Sequence, residues 1–277
     1  MTWSFILLVL LVVAVLVISK FTTDSPATIA RSHLLPTASP ALMKAIANLP
    51  ASEFNEVGVP QSGTLTPPIA LYNQMPLVAD GLPAAVSIDA GYCDYCAAQR
   101  WAVVVALSRF GTFSKLSLTS SSTTTAYPGI ATFSFDGATF QSQYLSFEGL
   151  EVSASQPLAS GGYEVLESPT PTQQGLLRRY DAPPYVSASA DGLLPFVDIG
   201  NRAIWTGAAG LSPAALMGLS SSQIAALLPD ASSNVTKAIV GTANEMSAAI
   251  CSATGGKPSQ VCSTPAIAEA TAALAAG

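Results

Sequence analysis

The reactive chemistry of this chain rests on four cysteines in two local pairs, Cys93 with Cys96 and Cys251 with Cys262. A thiolate is the nucleophile of thiol–disulfide exchange, and a second thiol one helical turn on can attack the mixed disulfide and release the product. The stretch Cys93-Asp94-Tyr95-Cys96 has that spacing. It follows the apolar run Ala84 to Asp89 (AAVSID), which reads as a strand. It precedes Ala97 to Phe110 (AAQRWAVVVALSRF), which reads as a largely buried helix. At a helix N-terminus the free N–H groups and the helix dipole favour a thiolate, which makes Cys93 the expected nucleophile and Cys96 the resolving thiol. Asp94 acts the other way, because a carboxylate beside the nucleophile disfavours its ionisation. The couple is therefore expected to be less oxidising than one with a histidine between its cysteines.

Other chemistries are poorly supplied. The single histidine, His33, lies ahead of any convincing folded segment and reads as a solvated linker residue. Ser-His-Asp catalysis, His-rich zinc sites and imidazole acid–base chemistry are thereby disfavoured. Glu148, Glu151, Glu164 and Glu167 form no recognisable catalytic pair. A net charge of -6, with only 10% of residues charged, provides no basic footprint for a nucleic-acid partner.

Cys251 and Cys262 enclose ten residues that include Gly255-Gly256 and Pro258. A structural disulfide closing that loop, worth about 2–3 kcal/mol in the chain-entropy model, is the favoured reading. The alternatives are a second redox pair relaying electrons to Cys93 and zinc shared by all four cysteines, the latter disfavoured by the long spacing. No metal, and no cofactor beyond the protein's own thiols, is expected. For Cys93 and Cys96 the alternative to redox activity is a static disulfide in a scaffold that only binds. Arg100 is expected on a solvated face, with contact to substrate as the other option, and Trp101 in the core.

These residues must be positioned by the rest of the 277-residue chain, in which 49% of residues are hydrophobic, ample for a packed core. Trp3 to Ile18 (WSFILLVLLVVAVLVI) carries no charge, and residues 1–20 read as a transmembrane anchor. A cleaved signal peptide competes, but its apolar region is normally about 7 to 15 residues and no Ala-x-Ala site follows. Lys20 and Arg31, after the span, argue weakly for a cytoplasmic bulk. The paired cysteines argue more strongly for an oxidising, extracytoplasmic compartment.

Residues 21–80 read as a tether and lead-in, with one amphipathic stretch from Ala41 to Leu49. Residues 81–277 read as the folded domain, with a β-rich, irregular insertion at about 120–192 and a helical C-terminal part. Within it, Asp136-Gly137 is expected to turn a hairpin between 132–135 and 139–147, and Gly200-Asn201 another between 196–199 and 202–205. Helices are expected near 173–180, after a Ser220 cap, over about 232–252 and over 265–276.

The segment VSIDAGYCDYC (Val86 to Cys96) with its helix, and LPFVDIGNRAIW (Leu194 to Trp205), resemble the thioredoxin-like superfamily, in particular DsbA-like oxidoreductases of the cell envelope. The resemblance covers roughly residues 80–120 and 190–230. It implies an α/β thioredoxin-like fold and exchange of disulfides with protein thiols, served by a separate redox partner. In the family a cis-proline precedes a strand and lies against the motif, and Pro195 matches that position. Leu194 before it, and Tyr92 before the first cysteine, are the implied substrate contacts. The family's buried proton acceptor falls near Ser87, whereas the available carboxylate is Asp89, two residues on along the same strand face. A non-catalytic envelope binding or assembly subunit that kept the fold is the second reading.

Overall fold

The computed structural model describes residues 35–60 and 66–276, of which those from Pro36 on form one compact unit. The apolar N-terminal stretch and His33 lie outside these residues. Among the described residues no helix is long and apolar enough to cross a membrane.

Two short helices, α1 (Pro40–Ala47) and α2 (Ala51–Val57), lead into strands β1 (Ile69–Ala70), β2 (Val78–Ala79) and β3 (Leu82–Asp89). Helix α3 (Asp94–Leu107) follows the cysteine motif, and after it come β4 (Thr112–Ser114), β5 (Ser117–Ser120), β6 (Ala131–Ser134), β7 (Thr139–Gln141) and β8 (Ser146–Glu151). A small hairpin of β9 (Ser153–Pro157) and β10 (Tyr163–Val165) and helix α4 (Pro171–Tyr180) precede the strands β11 (Phe196–Ile199) and β12 (Ala203–Thr206). The chain closes with α5 (Ser221–Leu227), α6 (Asn234–Ala253), α7 (Ser259–Cys262) and α8 (Pro265–Ala276).

The main sheet has β3 at its centre. β8 lies parallel to it on one side, β11 antiparallel on the other, and the order continues through β12 to β1, with β2 extending the start of β3. Strand, α3 and parallel strand thus form a βαβ crossover, the connection that parallel pairing requires. Side chains alternate along each strand. Val86, Ile88, Leu150, Phe196 and Ile204 pack on one face with Leu176 and Tyr180 of α4. Ala85, Val197, Ile199, Ala203 and Trp205 pack on the other with α3 and α6. A sheet covered on both faces explains why β3 reads as a nearly continuous apolar run.

Every residue of α3 except Tyr95 is buried. Its outer side is covered by β6: Trp101 Nε1 donates to Ala131 O (2.8 Å) and Thr132 Oγ1 to Ala97 O (2.6 Å). This corrects the expected 132–147 hairpin. The Asp136-Gly137 turn forms, with Gly137 at φ 68° and Ala138 N–H donating to Phe135 O, yet β6 pairs with β5 and β7 with β4. Burial of Phe133 and Phe135 against the core decides the partners, and a turn signal alone does not. The Gly200-Asn201 turn does join β11 to β12, both residues standing at positive φ (63° and 53°) as a type I′ turn needs.

Residues 36–60 and 66–80, where composition suggests a tether, hold Ala38, Ile46, Phe54 and Leu71 buried. Asn244 of α6 anchors this segment, its Nδ2 donating to Phe54 O (2.9 Å) and Gly58 O (2.7 Å). Arg109 lies over the Phe54 ring, 4.0 Å from its centre.

Candidate functional site

The local fold at the motif follows from its four residues. Cys93 is extended and caps α3, its sulfur accepting the Cys96 N–H at 3.0 Å. That bond satisfies one of the four N–H groups that a helix start leaves without partners. Cys93 is half-buried and Cys96 fully buried, and the two form a disulfide. The Cys93 sulfur also touches Leu194 O at 3.7 Å, and the Leu194–Pro195 peptide is cis. Cys93, Cys96, Leu194 and Pro195 therefore come together although about a hundred residues separate the two segments.

Asp94 does not face solvent beside Cys93. One carboxylate oxygen accepts the Tyr95 N–H (2.8 Å) and the other the Tyr127 N–H (2.9 Å), which ties the loop of residues 121–130 to the helix start. The same loop is tied again by Ser122 N–H to Tyr92 O (3.0 Å). Tyr92 stacks on Tyr163, ring centres 4.2 Å apart and 18° between planes, and Tyr95 meets Tyr127 edge-on at 6.0 Å. Tyr127 and Tyr163 are invisible to motif reading, since they reach the site from strands and loops 30 and more residues away.

Behind the motif lies a buried charge cluster. Asp89, at the end of β3, accepts the Ser87 hydroxyl at 2.8 Å. Arg100 is corrected from a solvated position to a fully buried one: it lies 3.8 Å from both Asp89 and Glu151 and donates to Ala90 O (3.0 Å) and Phe133 O (2.9 Å). Apart from Gln99 and Arg100 the stretch AAQRWAVVVAL is apolar, and a helix with no polar stripe has no solvent face to offer an arginine. Glu151 in turn accepts the Ser134 hydroxyl at 2.5 Å. Burial lifts the Asp89 carboxyl to about 6, with Arg100 and Ser87 acting against it. Asp89 thus titrates closer to neutrality than an exposed carboxylate, and Arg100 joins its strand to the motif helix.

Other buried acids titrate in the same window. Asp198 on β11 accepts the Asn201 N–H at 2.8 Å while its second oxygen has no partner among the described residues, and burial raises it to about 7. Burial also raises Glu245 to about 7 and Asp181 to about 6. Each carboxyl holds its proton more tightly in the folded chain. The stability it contributes is fully present below the unfolded value near 4 and is lost as pH rises through the folded value. Unfolding in urea should therefore need more denaturant at pH 5 than at pH 8. Asp198→Asn, which keeps an acceptor for Asn201, should raise the unfolding free energy at pH 8 by roughly 1–3 kcal/mol and change it little at pH 4. Equal effects at both pH values would contradict this.

Cys251 and Cys262 form the second disulfide, joining the end of α6 to α7. Among the described residues no group of His, Cys, Asp and Glu is arranged to hold a metal ion. Two grooves of about 360 Å³ each, one beside Tyr72 and Arg202 and one beside Gln74 and Arg179, are not lined by motif residues.

A family model described as "Domain of unknown function (DUF929)" matches residues 69–252, a span that runs from β1 through both motif cysteines and Pro195 to the end of α6. No curated protein and no solved structure matches the chain.

Proposed function

Taking as premise that the chain belongs to the DUF929 family, we propose that it is a thioredoxin-like, extracytoplasmic thiol–disulfide oxidoreductase, tethered to the membrane by residues 1–20 and acting on protein substrates. The observation that carries this reading is the asymmetry of the cysteine pair. Cys93 is half-buried at a helix start, with an N–H aimed at its sulfur, while Cys96 is enclosed one turn in. A βαβ unit with Cys-x-x-Cys at its strand–helix junction supports the same chemistry, and so does the Leu194 carbonyl beside Cys93, an edge on which a substrate backbone can lie.

In the reducing direction the Cys93 thiolate attacks one sulfur of the substrate disulfide. The substrate S–S bond breaks, a new S–S bond joins the two proteins, and the departing substrate thiolate takes a proton. Cys96, having given its proton to Asp89, then attacks the Cys93 sulfur and the second substrate thiol leaves. Two electrons have passed from the protein dithiol to the substrate. In the oxidising direction the same steps run backwards, and a separate redox partner restores the starting form.

Equilibrating the full chain with glutathione or dithiothreitol, with mass readout of alkylated peptides, tests the reading. A reversible Cys93–Cys96 couple between roughly -270 and -120 mV is the expected result. A pair that stays oxidised below about -300 mV is a structural disulfide and would move the assignment to a binding subunit.

A further inference from the structure

Three segments far apart in sequence converge beside Cys93. The first is the motif itself, presenting Tyr92. The second is the 121–130 loop, bonded to the motif through Tyr92 O and the Asp94 carboxylate. The third is the β9–β10 hairpin, whose base lies flat on Gly91: Gly91 N–H donates to Ser153 O at 2.8 Å, and a Cβ at Gly91 would come 2.5 Å from that oxygen. The hairpin brings Tyr163 onto the Tyr92 ring. The Tyr163 hydroxyl is then fixed by Ser122 Oγ (3.1 Å) and Thr124 Oγ1 (3.2 Å), so the second segment holds the ring that the third supplies.

Hydroxyl bonds at the tip and a stacked face at the side leave this half-buried ring pair little freedom, and such rings bind apolar groups at small entropic cost. The segment from residues 193–195 that meets the motif is also apolar: Leu194 is half-buried with its carbonyl beside the Cys93 sulfur, and Leu193 is 50% exposed. The carboxylate nearest the nucleophile in sequence, Asp94, is buried and has both oxygens bonded to amides.

We infer that the Tyr92–Tyr163 pair is a specificity surface that receives the residue next to the exchanging cysteine of the substrate. The preferred substrates are then proteins in which that neighbour is aromatic or apolar, and an acidic neighbour is disfavoured on a chain of net charge -6. This deepens the thiol–disulfide reading above and rests on it. Tyr163 is the determinant, because it is the ring that the insertion adds to the motif.

The test uses the full chain in detergent with Cys96→Ser, so that the adduct on Cys93 accumulates. The probes are homodimeric disulfides of tetrapeptides Gly-Xaa-Cys-Gly in which Xaa is Phe, Gly or Asp. The adduct is followed by mass, and the readout is the ratio of rates between peptides. The Phe peptide should react about five- to tenfold faster than the Gly peptide, the gain expected of one aromatic contact, and the Asp peptide should be slowest. Adding Tyr163→Ala should bring the Phe-to-Gly ratio close to one, whereas Tyr163→Phe, which keeps the ring, should retain most of it. Adducts that form at equal rates with all three peptides on the Cys96→Ser chain would overturn the specificity surface and leave the oxidoreductase reading standing. No adduct with any of them would overturn both.

Discussion

Cys93→Ser should abolish covalent capture of any disulfide substrate, while Cys96→Ser should turn a transient adduct into a stable one. The two cysteines are three residues apart, but only Cys93 combines access with activation: it is half-buried, it accepts the Cys96 N–H, and it lies beside the Leu194 carbonyl. Cys96 is fully buried and can meet a sulfur only when that sulfur is already attached to Cys93. Removing the nucleophile removes the first step. Removing the resolving thiol leaves the mixed disulfide with no intramolecular attack to cleave it. Mass spectrometry of the full chain after exposure to a peptide disulfide separates these outcomes. An adduct on Cys96 in the Cys93→Ser chain would reverse the assigned roles.

Arg100→Met should lower the free energy of unfolding by about 3–5 kcal/mol at pH 7.5, the range for a buried ion pair that loses one partner. Methionine fills similar space, so the loss is electrostatic and hydrogen-bonded rather than a cavity. Without the guanidinium, Asp89 and Glu151 lose the cation between them, and the Ala90 and Phe133 carbonyls lose their donor. The Asp89 carboxyl, already lifted by burial, moves further up because the Arg100 charge that opposed the shift is gone. Lowering the pH to 5 protonates it and should return part of the loss. Arg100→Lys should fall between, since one ammonium cannot reach two carbonyls in the geometry of a planar fork. Urea unfolding followed by far-ultraviolet circular dichroism reads all three, and a loss under about 1 kcal/mol at pH 7.5 would show that the cluster is not a structural cation site.

The cysteine motif and its helix were legible because their determinants are local: Cys93 to Cys96 and the apolar runs on both sides form one continuous stretch of sequence. The Gly200-Asn201 hairpin was legible for the same reason, as two residues that tolerate positive φ sit between matched strands. Strand partners were not. β6 leaves the Asp136-Gly137 turn to cover α3, a choice made by the buried Phe133 and by the Trp101 and Thr132 hydrogen bonds, all long-range. Tyr163 and Tyr127 escaped for a similar reason, since a stacked ring and a bonded hydroxyl leave no spacing to find. Arg100 is buried against the ordinary preference of a charged side chain for solvent, and the apolar residues that surround it on the helix are the local sign of it.

The encasement of α3 has a thermodynamic consequence. Burial along all but one of its residues ties this helix to the core from its first turn on, so whichever oxidation state of the cysteines it fits better is also the more stable fold. Folding and oxidation then close a single cycle. Every 30 mV by which the folded couple departs from that of the unfolded chain must equal about 1.4 kcal/mol between the unfolding free energies of the oxidised and reduced forms. A reduced chain that outlasts the oxidised one in urea therefore holds a couple more oxidising than the same cysteines in the unfolded chain, a difference that two urea unfolding curves measure.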